Sequence, residues 1–364
     1  MHMADALLSP VVGGALWAAS AGCIVYCSGK VRRELDERKA PLMGVLGAFI
    51  FAVQMINFTI PATGSSGHLS GGLLLSILLG PHAAFLAMAS VLVVQALFFA
   101  DGGLLALGCN IFNLGFIPAF IACPLIYRKI AGYSPTPAKM TCGALVAGVL
   151  GMQMGAFGVV LQTWGSGVSS LPLSAFALLM QPIHLPIGLV EGIVTAGVLT
   201  FVQKARPEIL LGAREANTTG ILSMRSILIS FFALALVAGG LFSRFASGNP
   251  DGLEWSIMKT AGQELAAPAD GVHGKLAALQ RKLSVMPDYS FRKPEAKTDA
   301  APVIGVAVAG AAKAAMAARP EPHGEKAGQG LATSVAGLVG GMVTLALAFV
   351  IGAVLRRFSV TQPQ

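Results

Sequence analysis

Residues 41–60 read PLMGVLGAFIFAVQMINFTI and residues 83–100 read AAFLAMASVLVVQALFFA, and no Asp, Glu, Lys or Arg occurs from Pro41 to Ala100. A second long run, from Met140 to Val202, carries a single charged residue, Glu191. Uncharged apolar stretches of about 20 residues are what a helix needs to cross the hydrocarbon core of a bilayer. These two regions predict the fold, an all-α integral membrane protein built as a polytopic helical bundle.

The whole chain is rich in apolar residues and poor in charge. Of its 364 residues, 55% are hydrophobic and 12% are charged, and the mean hydropathy is +0.72, which excludes an ordinary soluble globular protein. The basic residues behind the net charge of +8 lack the aromatic interleaving of a nucleic-acid-binding surface, so we expect no nucleic-acid partner. We expect these clusters to face the cytoplasm and anionic lipid headgroups: KVRRELDERK at 30–39, RK at 128–129 and RR at 356–357.

Apolar segments along the chain predict about nine transmembrane helices. A shorter segment, 69–80, counted as a crossing or as a re-entrant element, places every short basic loop on one side. That agreement with the positive-inside rule predicts an extracytoplasmic N-terminus and a multi-pass protein of the bacterial cytoplasmic membrane. The other eight windows each approach the length of a spanning helix: 11–28, 41–60, 83–100, 104–127, 140–162, 183–202, 226–242 and 333–355.

Breaks in the apolar pattern predict the domain organisation. Gly and Pro interrupt the spans in GSSGHLSGG at 64–72 and in QPIHLP at 181–186, which favours non-helical backbone at membrane depth. A long polar stretch after Phe242 predicts an extracytoplasmic insertion, and we interpret residues 302–317 as part of its loop. The predicted units are a transmembrane domain at 1–205, a cytoplasmic linker at 206–225 and a two-helix companion segment at 226–364.

Several classes of function lack the residues that they require. The sequence contains no GxxxxGK[ST] P-loop, no GxSxG elbow and no HExxH helix. We therefore predict that the chain is not an enzyme and that any ATP hydrolysis is done by partners. Its five cysteines form no CxxC pair and lie in or beside apolar segments, which indicates small buried side chains rather than disulfides or zinc ligands: Cys23, Cys27, Cys109, Cys123 and Cys142.

The first residues, Met1-His2-Met3, predict a metal chelate. The bulky His2 disfavours removal of the initiator methionine, so we expect a free amine on Met1. That amine, the backbone nitrogen of His2 and its Nδ1 atom can close two fused chelate rings, and a fourth donor completes a square that suits Ni(II) or Cu(II) and accommodates Co(II). His68, in a Gly/Ser-rich loop on the predicted N-terminal side, is the candidate fourth ligand. The alternative is an ordinary N-terminal tail and a loop histidine.

Other polar residues in apolar surroundings have both a structural and a functional interpretation. His184 and Glu191 lie two helical turns apart on one face. For both we favour backbone hydrogen bonds near an unwound helix start, or docking of another subunit, over metal ligation. Asp5 and Asp101 could support a metal site, but helix capping is the favoured interpretation. We interpret the remaining candidates as a helix-start residue and apolar filler: His82, and Met152 with Met154.

Several stretches resemble the cobalt/nickel substrate-binding membrane subunits of energy-coupling factor transporters, the CbiM/NikM family: MHMADALLSP at 1–10, TGSSGHLSGG at 63–72, FFADGGLLALGCNIFNLG at 98–115 and HLPIGLVEG at 184–192. The C-terminal part is similar to the PDGLE-type (NikN-like) companion subunit found fused in nickel systems, through NPDGLEWS at 249–256, MPDYSF at 286–291 and the last helix. The resemblance covers nearly the whole chain. It departs at His82, where the family usually has an aromatic residue after Gly-Pro.

The resemblance implies the substrate-specific subunit of an ABC-type importer that captures Ni(II) or Co(II) for ATP-driven uptake. It implies metal ligation by the amine of Met1, the backbone nitrogen and imidazole of His2, and His68. The implied protein partners are a transmembrane coupling subunit and two cytoplasmic ATPase subunits, and the chain itself lies in the lipid bilayer. The transported ion is its ligand, and no cofactor of the chain's own is implied. An ATP-independent secondary permease is the alternative, although it would be expected to carry paired intramembrane ionisable groups, and here Glu191 stands out alone. A scaffold without a ligand is a further alternative.

Overall fold

The structure is a computed structural model that describes residues 1–34, 39–132, 135–210, 222–263, 265–292 and 323–357. Across these residues the chain is helical apart from one short β-hairpin. Seven of the described helices are long and apolar enough to cross a membrane, and an eighth apolar helix, Lys39–Gln54, is shorter. The predicted all-α, polytopic architecture is therefore confirmed.

The helices follow the predicted apolar windows. The middle of the fifth helix, Phe112–Tyr127, contains Pro118 and Pro124 and is wound with π-type hydrogen bonds, since a proline gives no amide donor to an α-helical ladder. In chain order the helices are α1 (Pro10–Glu34), α2 (Lys39–Gln54), α3 (Gly72–Leu79), α4 (Pro81–Phe98), α5 (Leu107–Ala131), α6 (Pro137–Ser166), α7 (Leu173–Ala205), α8 (Met224–Gly240), α9 (Gly252–Ala261), α10 (Gly271–Leu283) and α11 (His323–Arg357).

A β-hairpin separates α2 from α3. Its strands β1 (Phe58–Ile60) and β2 (Ser65–Gly67) pair antiparallel, and every residue of β2 is buried. The predicted non-helical backbone in the loop that carries His68 is thus confirmed. The segment predicted at 69–80 forms α3, whose 8 residues span about 12 Å and are too few to cross a bilayer unaided. Nine crossings remain a prediction.

The course of α4 defines the two ends of the bundle. At its start, His82 lies beside Tyr26 near the end of α1, with ring centroids 5.7 Å apart. Just beyond its end, Asp101 contacts His2. The hairpin and α3 therefore carry the chain from the end of the bundle that holds His2 to the opposite end. We call the end that holds His2 and the hairpin the hairpin end.

The prediction of non-helical backbone at QPIHLP is wrong. The helix α7 continues without a break through Pro182 and Pro186. Each proline removes one amide donor, but a helix inside a membrane bundle tolerates this where a neighbouring helix packs closely against it. Here α6 is that neighbour, because a methyl group on Gly148 would lie 2.9 Å from the Cα atom of Gly192. Contact through glycine brings the two backbones together along the proline-containing segment.

The helices α8 and α11, which lie in the predicted companion segment, pack on each other and on α2. A methyl group on Gly337 would lie 2.4 Å from the carbonyl oxygen of Gly239, and one on Gly340 would lie 2.0 Å from the ring of Phe51. Small residues allow membrane helices this close approach. The companion segment is therefore packed into the bundle rather than set beside it.

The described part of the predicted insertion, between α8 and α11, folds onto the hairpin end. The backbone amide of Ser66 donates to the carbonyl of Pro250 at 2.8 Å, and that of Ser247 donates to Asn57 at 2.8 Å. From α10, the side chain of Gln280 donates to the carbonyl of Gly102 at 2.7 Å. Residues 302–317 and most of the predicted linker at 206–225 lie outside the described residues.

Candidate metal site

The N-terminal segment is inserted into the bundle at the hairpin end. Met1 is 7% exposed and Met3 is fully buried. The backbone of Met3 is held on both sides, because its amide donates to the Oδ1 atom of Asn110 at 2.8 Å and its carbonyl accepts from the amide of Gly103 at 2.9 Å. The carboxylate of Asp5 accepts from the amide of Ala106 at 2.9 Å, at the start of α5. Asp5 thus holds the backbone just before the first turn of α5 from the N-terminal segment, and this helix start has no side-chain cap.

The structure brings together the predicted site residues Met1, His2 and His68. The imidazoles of His2 and His68 stack with centroids 5.3 Å apart and planes inclined by 13°. The Nδ1 atom of His68 lies 3.0 Å from the carbonyl oxygen of Leu69. Since a carbonyl only accepts, Nδ1 carries the proton, and Nε2 is the nitrogen of His68 that can coordinate a metal.

The loop that carries His68 is anchored by Glu191 of α7. The carboxylate accepts from the amide of Ser70 at 2.6 Å, from its hydroxyl at 2.9 Å and from the amide of Gly71 at 3.1 Å. The carbonyl of Ser70 in turn accepts from Gln54 at 2.7 Å. The favoured interpretation of Glu191, hydrogen bonding to partner backbone, is confirmed, although it acts from the middle of a continuous helix.

Asp251 joins the companion segment to the N-terminus, and the sequence reasoning did not identify it. One carboxylate oxygen accepts from the Met1 amine at 2.8 Å. The other accepts from the amides of Leu253 and Glu254, both at 2.8 Å, and so caps α9. The sequence signal for the cap was present, because Asp251 and Glu254 have the spacing of a capping box. Nothing in that spacing indicates the contact with residue 1.

Asp101 contacts the second candidate ligand, His2. Its Oδ1 atom lies 3.2 Å from Nδ1 of His2, and its Oδ2 atom accepts a hydrogen bond from the hydroxyl of Tyr289. The favoured capping role of Asp101 is therefore wrong, because its oxygens are directed at side chains of the site. Tyr289, in the MPDYSF stretch, is a second residue that the sequence reasoning did not identify.

Burial and local charge keep both imidazoles neutral. Burial, followed by the positive charges of the Met1 amine and His2, lowers the pKa of His68 to about 3. Burial also lowers the pKa of His2, against the attraction of Asp101. At Asp251 burial acts to raise the pKa, but the Met1 ammonium outweighs it and holds that pKa well below its usual range. At neutral pH the site thus combines neutral imidazoles with an ammonium–carboxylate pair.

Two cavities adjoin these residues. A cavity of about 10 Å³ is lined in part by Met1, His68, His184 and Asp251, which is room for about one water molecule. A larger cavity of about 200 Å³ reaches His2 at the hairpin end. The acidic residues that line the larger cavity are Asp5, Asp101, Asp251, Glu254 and Asp288. Carboxylates that line a cavity raise the local concentration of cations.

The remaining candidates lie elsewhere or have other roles. His82 begins α4 next to Phe120, away from the N-terminus. All five cysteines are free. Within the described residues, no three His, Cys, Asp or Glu side chains form a group that could hold a metal ion.

Known proteins match both parts of the chain. Residues 2–209 match the family described as the cobalt uptake substrate-specific transmembrane region, and residues 225–357 match the PDGLE domain. The fused nickel transport protein NikMN of Rhodobacter capsulatus is 29% identical over 309 residues, which cover 80% of this chain and 88% of that protein. The cobalt transport protein CbiM of Sorangium cellulosum is 31% identical over 58% of this chain and 94% of its own length. A crystal structure of a truncated transition metal transporter has a TM-score of 0.50 at 29% identity, covering 56% of this chain and 98% of that one.

Proposed function

The chain belongs to the cobalt uptake substrate-specific transmembrane family and carries a PDGLE domain behind it, and from this membership we propose that it captures Ni(II) or Co(II) for an ATP-driven importer. Membership makes it a multi-pass membrane protein of nickel and cobalt transport. The relatives named above are a nickel and a cobalt transport protein. The mode of capture and its coupling to ATP are the proposal.

The convergence of buried Met1 with the half-buried His2 and His68 carries the proposal. The ligands are the Met1 amine, the deprotonated backbone nitrogen of His2, its Nδ1 atom and Nε2 of His68. Four nitrogens in a square suit Ni(II) and are compatible with Co(II). The same ligands prefer Cu(II) by the Irving–Williams order, so metal availability contributes to selectivity.

Metal capture exchanges two contacts of the metal-free site. The Met1 ammonium releases a proton to solvent and leaves its ion pair with Asp251, and Nδ1 of His2 leaves Asp101 as its proton is replaced by one on Nε2 of the same neutral ring. Both carboxylates stay beside the bound dication and balance its charge, as carboxylates near metal ligands commonly do. The acidic cavity of about 200 Å³ beside His2 is the proposed route by which the hydrated ion approaches.

The finer parts of the proposal concern topology and partners. We place the N-terminus and the hairpin end outside the cytoplasmic membrane of a bacterium, with nine crossings if the hairpin and α3 count as one. A transmembrane coupling subunit and two cytoplasmic ATPases complete the importer, because capture and release must differ in free energy in every cycle and the chain has no P-loop to supply that difference.

Blocking the Met1 amine tests the capture site. A chain extended by a few residues before Met1 is expected to lose stoichiometric metal, whereas the same residues added after Gln364 are expected to have no effect. The measurement is elemental analysis of protein purified from cells supplied with several metals. Full metal content in the extended chain contradicts the site.

Dependence on the ATPase partners separates the importer from the alternative, an ATP-independent permease. We expect uptake of radioactive nickel or cobalt to require both ATPases and the coupling subunit. A variant ATPase that binds but does not hydrolyse ATP should abolish uptake while metal capture by the chain remains. Unchanged uptake without ATP hydrolysis favours the permease.

A further inference from the structure

His184, in α7, presents a buried ring nitrogen whose role the capture site leaves unexplained. The side chain is 1% exposed, and its Nδ1 atom lies 2.7 Å from the carbonyl oxygen of Met180. That contact places the proton on Nδ1, so Nε2 carries a lone pair and no hydrogen. Within the described residues Nε2 has no hydrogen-bond partner. A buried polar atom without a partner is costly and is rare in native proteins.

His184 and His68 are prepared in the same way. Each imidazole has Nδ1 on a backbone carbonyl, Met180 for His184 and Leu69 for His68. Histidines that bind metals almost always have this arrangement, because the bond to Nδ1 fixes the ring and directs Nε2 at the ion. His184 therefore has the orientation and protonation state of a metal ligand.

Both imidazoles border the same small cavity. Its volume is about 10 Å³, and imidazole nitrogen, amine and thioether donors suit late transition metals such as nickel and cobalt. Gly252 packs directly on His184, since a methyl group there would lie 3.1 Å from Cε1 of the ring. The residues lining the cavity that can donate to a metal are Met1, His68, Met152, His184 and Asp251.

The cavity continues toward the middle of the bundle. A neighbouring cavity, also of about 10 Å³, shares Met1 and Met152 with it and reaches Glu191. Glu191 follows His184 by two turns of α7, about 10 Å along the helix axis. His184 thus borders the cavity of Met1 and His68, two turns before the carboxylate that anchors the loop of His68.

We propose that Nε2 of His184, together with His68, forms a second metal station that receives the ion from the four-nitrogen capture site. The proposal rests on the proposed function, because the ion must first reach His68. The two stations share His68, so they are occupied in turn and not together. The second station binds the metal more weakly, since it has fewer fixed nitrogen ligands. Such a station allows transfer, because the ion must bind well enough to enter it and weakly enough to leave it.

The test uses the full chain with the capture site disabled by His2→Ala and Co(II) alone as the probe. Visible absorption of Co(II) reports coordination by protein ligands. His2→Ala is expected to keep a weak Co(II) site, which His184→Asn should weaken by at least about tenfold, the loss typical when a metal site is perturbed. Asparagine retains the hydrogen bond to Met180 and removes the ligand nitrogen. His82→Asn, in the same His2→Ala background, is the matched control and should leave the weak site unchanged.

The outcomes separate the two proposals. No Co(II) site in His2→Ala, or a site that His184→Asn leaves unchanged, overturns the second station and leaves the capture site intact. Wild-type Co(II) affinity in His2→Ala overturns the capture site instead. In that case the second station stands if His184→Asn still lowers the Co(II) affinity tenfold, and it is overturned if His184→Asn does not. If His184→Asn does not purify as a monodisperse protein, His184→Gln replaces it, because its amide oxygen reaches the position of Nε2. A residual site in that variant that is weaker than with histidine supports the station, and one of equal strength contradicts it.

Discussion

The ion pair between the Met1 amine and Asp251 is the residue-scale feature that links the two parts of the chain. It joins a buried cation to a carboxylate whose other oxygen caps α9. The amine is buried and Asp251 is partly buried, so removing the carboxylate leaves the charge of the amine without compensation. The position of the terminus in the metal-free protein therefore depends on Asp251.

Asp251→Asn is expected to release the N-terminus from the bundle. The Met1 amine should then react rapidly with an amine-acylating reagent from which the wild-type protein protects it. Mass spectrometry of the N-terminal peptide after a short exposure measures the difference. Glu254→Gln is the control, because Glu254 lies in the same helical turn but Asp251 is the carboxylate that binds the amine. Equal labelling of Asp251→Asn and wild type contradicts the anchoring role.

His2→Ala should weaken Ni(II) binding far more than His68→Ala. The substitution of His2 removes one donor and opens a chelate ring, so we expect the affinity for Ni(II) to fall roughly 1,000-fold, or by about 4 kcal/mol. Water can replace His68 at one corner of the square, so in that variant the affinity should fall roughly 10–100-fold. Titration of the purified variants with nickel measures both affinities, and size-exclusion chromatography shows whether they remain folded. The reverse order of losses contradicts the assignment of the chelate.

Metal binding should release about two protons per ion near neutral pH, one from the His2 amide and one from the Met1 ammonium. The imidazoles contribute none, because burial lowers the pKa of His2 and lowers that of His68 to about 3. Affinity therefore falls as pH falls, by roughly 100-fold per pH unit for two protons. Calorimetry in buffers of different ionisation enthalpy counts the protons. A count near zero indicates oxygen ligands in place of the amine and amide.

The residue types of the site could be predicted from sequence, but their contacts could not. The Met-His start and His68 were identifiable because a terminal amine next to histidine has a known chelating chemistry. Asp101 was a candidate, but capping was favoured for it, and Asp251 was not identified. A carboxylate near a Gly turn fits an ordinary helix cap, and in Asp251 the cap and the ion pair coexist. Only the folded chain shows that residue 251 reaches residue 1.

At the scale of the elements, glycine determines how closely the companion helix α11 approaches its neighbours. A methyl group on Gly337 would meet the backbone of Gly239, which cannot rotate away. On the same helix, Gly341 has its nearest such contact at an ordinary 3.7 Å. The contact between α11 and α8 therefore has no room for a larger side chain at Gly337, whereas α11 has room for one at Gly341.

Gly337→Ala should lower stability by about 1–3 kcal/mol, the usual cost of overpacking a close contact, and Gly341→Ala should not. Thermal denaturation of both variants in the same detergent measures the difference. If the contact between α11 and α8 positions the companion segment, Gly337→Ala should also increase acylation of the Met1 amine. Equal melting temperatures for the two variants contradict the role of the glycine contact.

The helices themselves were predictable because uncharged apolar length is a strong signal. The exceptions are the elements whose formation depends on neighbours. Prolines at 182 and 186 indicated a break, yet contact with α6 keeps α7 continuous. The segment 69–80 indicated a crossing or a re-entrant element, whereas the structure gives it the short helix α3 of 8 residues, which follows the hairpin. Sequence hydropathy does not report which segments share a crossing.

At the scale of the whole molecule, the companion segment closes the hairpin end over the N-terminus. It contributes Asp251 to the amine, Tyr289 to Asp101 and Gln280 to the loop after α4. Met1 and His2 are buried as a result of contacts from both parts of the chain. In the proposed importer, the metal passes the companion segment at this end, through the acidic cavity or by movement of that segment.

Two of the bonds that hold the companion segment to the hairpin region run between main-chain groups, from Ser66 to Pro250 and from Ser247 to Asn57. Main-chain donors and acceptors are present whatever side chains the positions carry, so this part of the interface can survive extensive sequence drift. A polypeptide link between the two parts raises their effective concentration but adds no contact of its own. The two parts could consequently be encoded by separate genes, and co-expressed as two polypeptides they would reassemble around the same terminus.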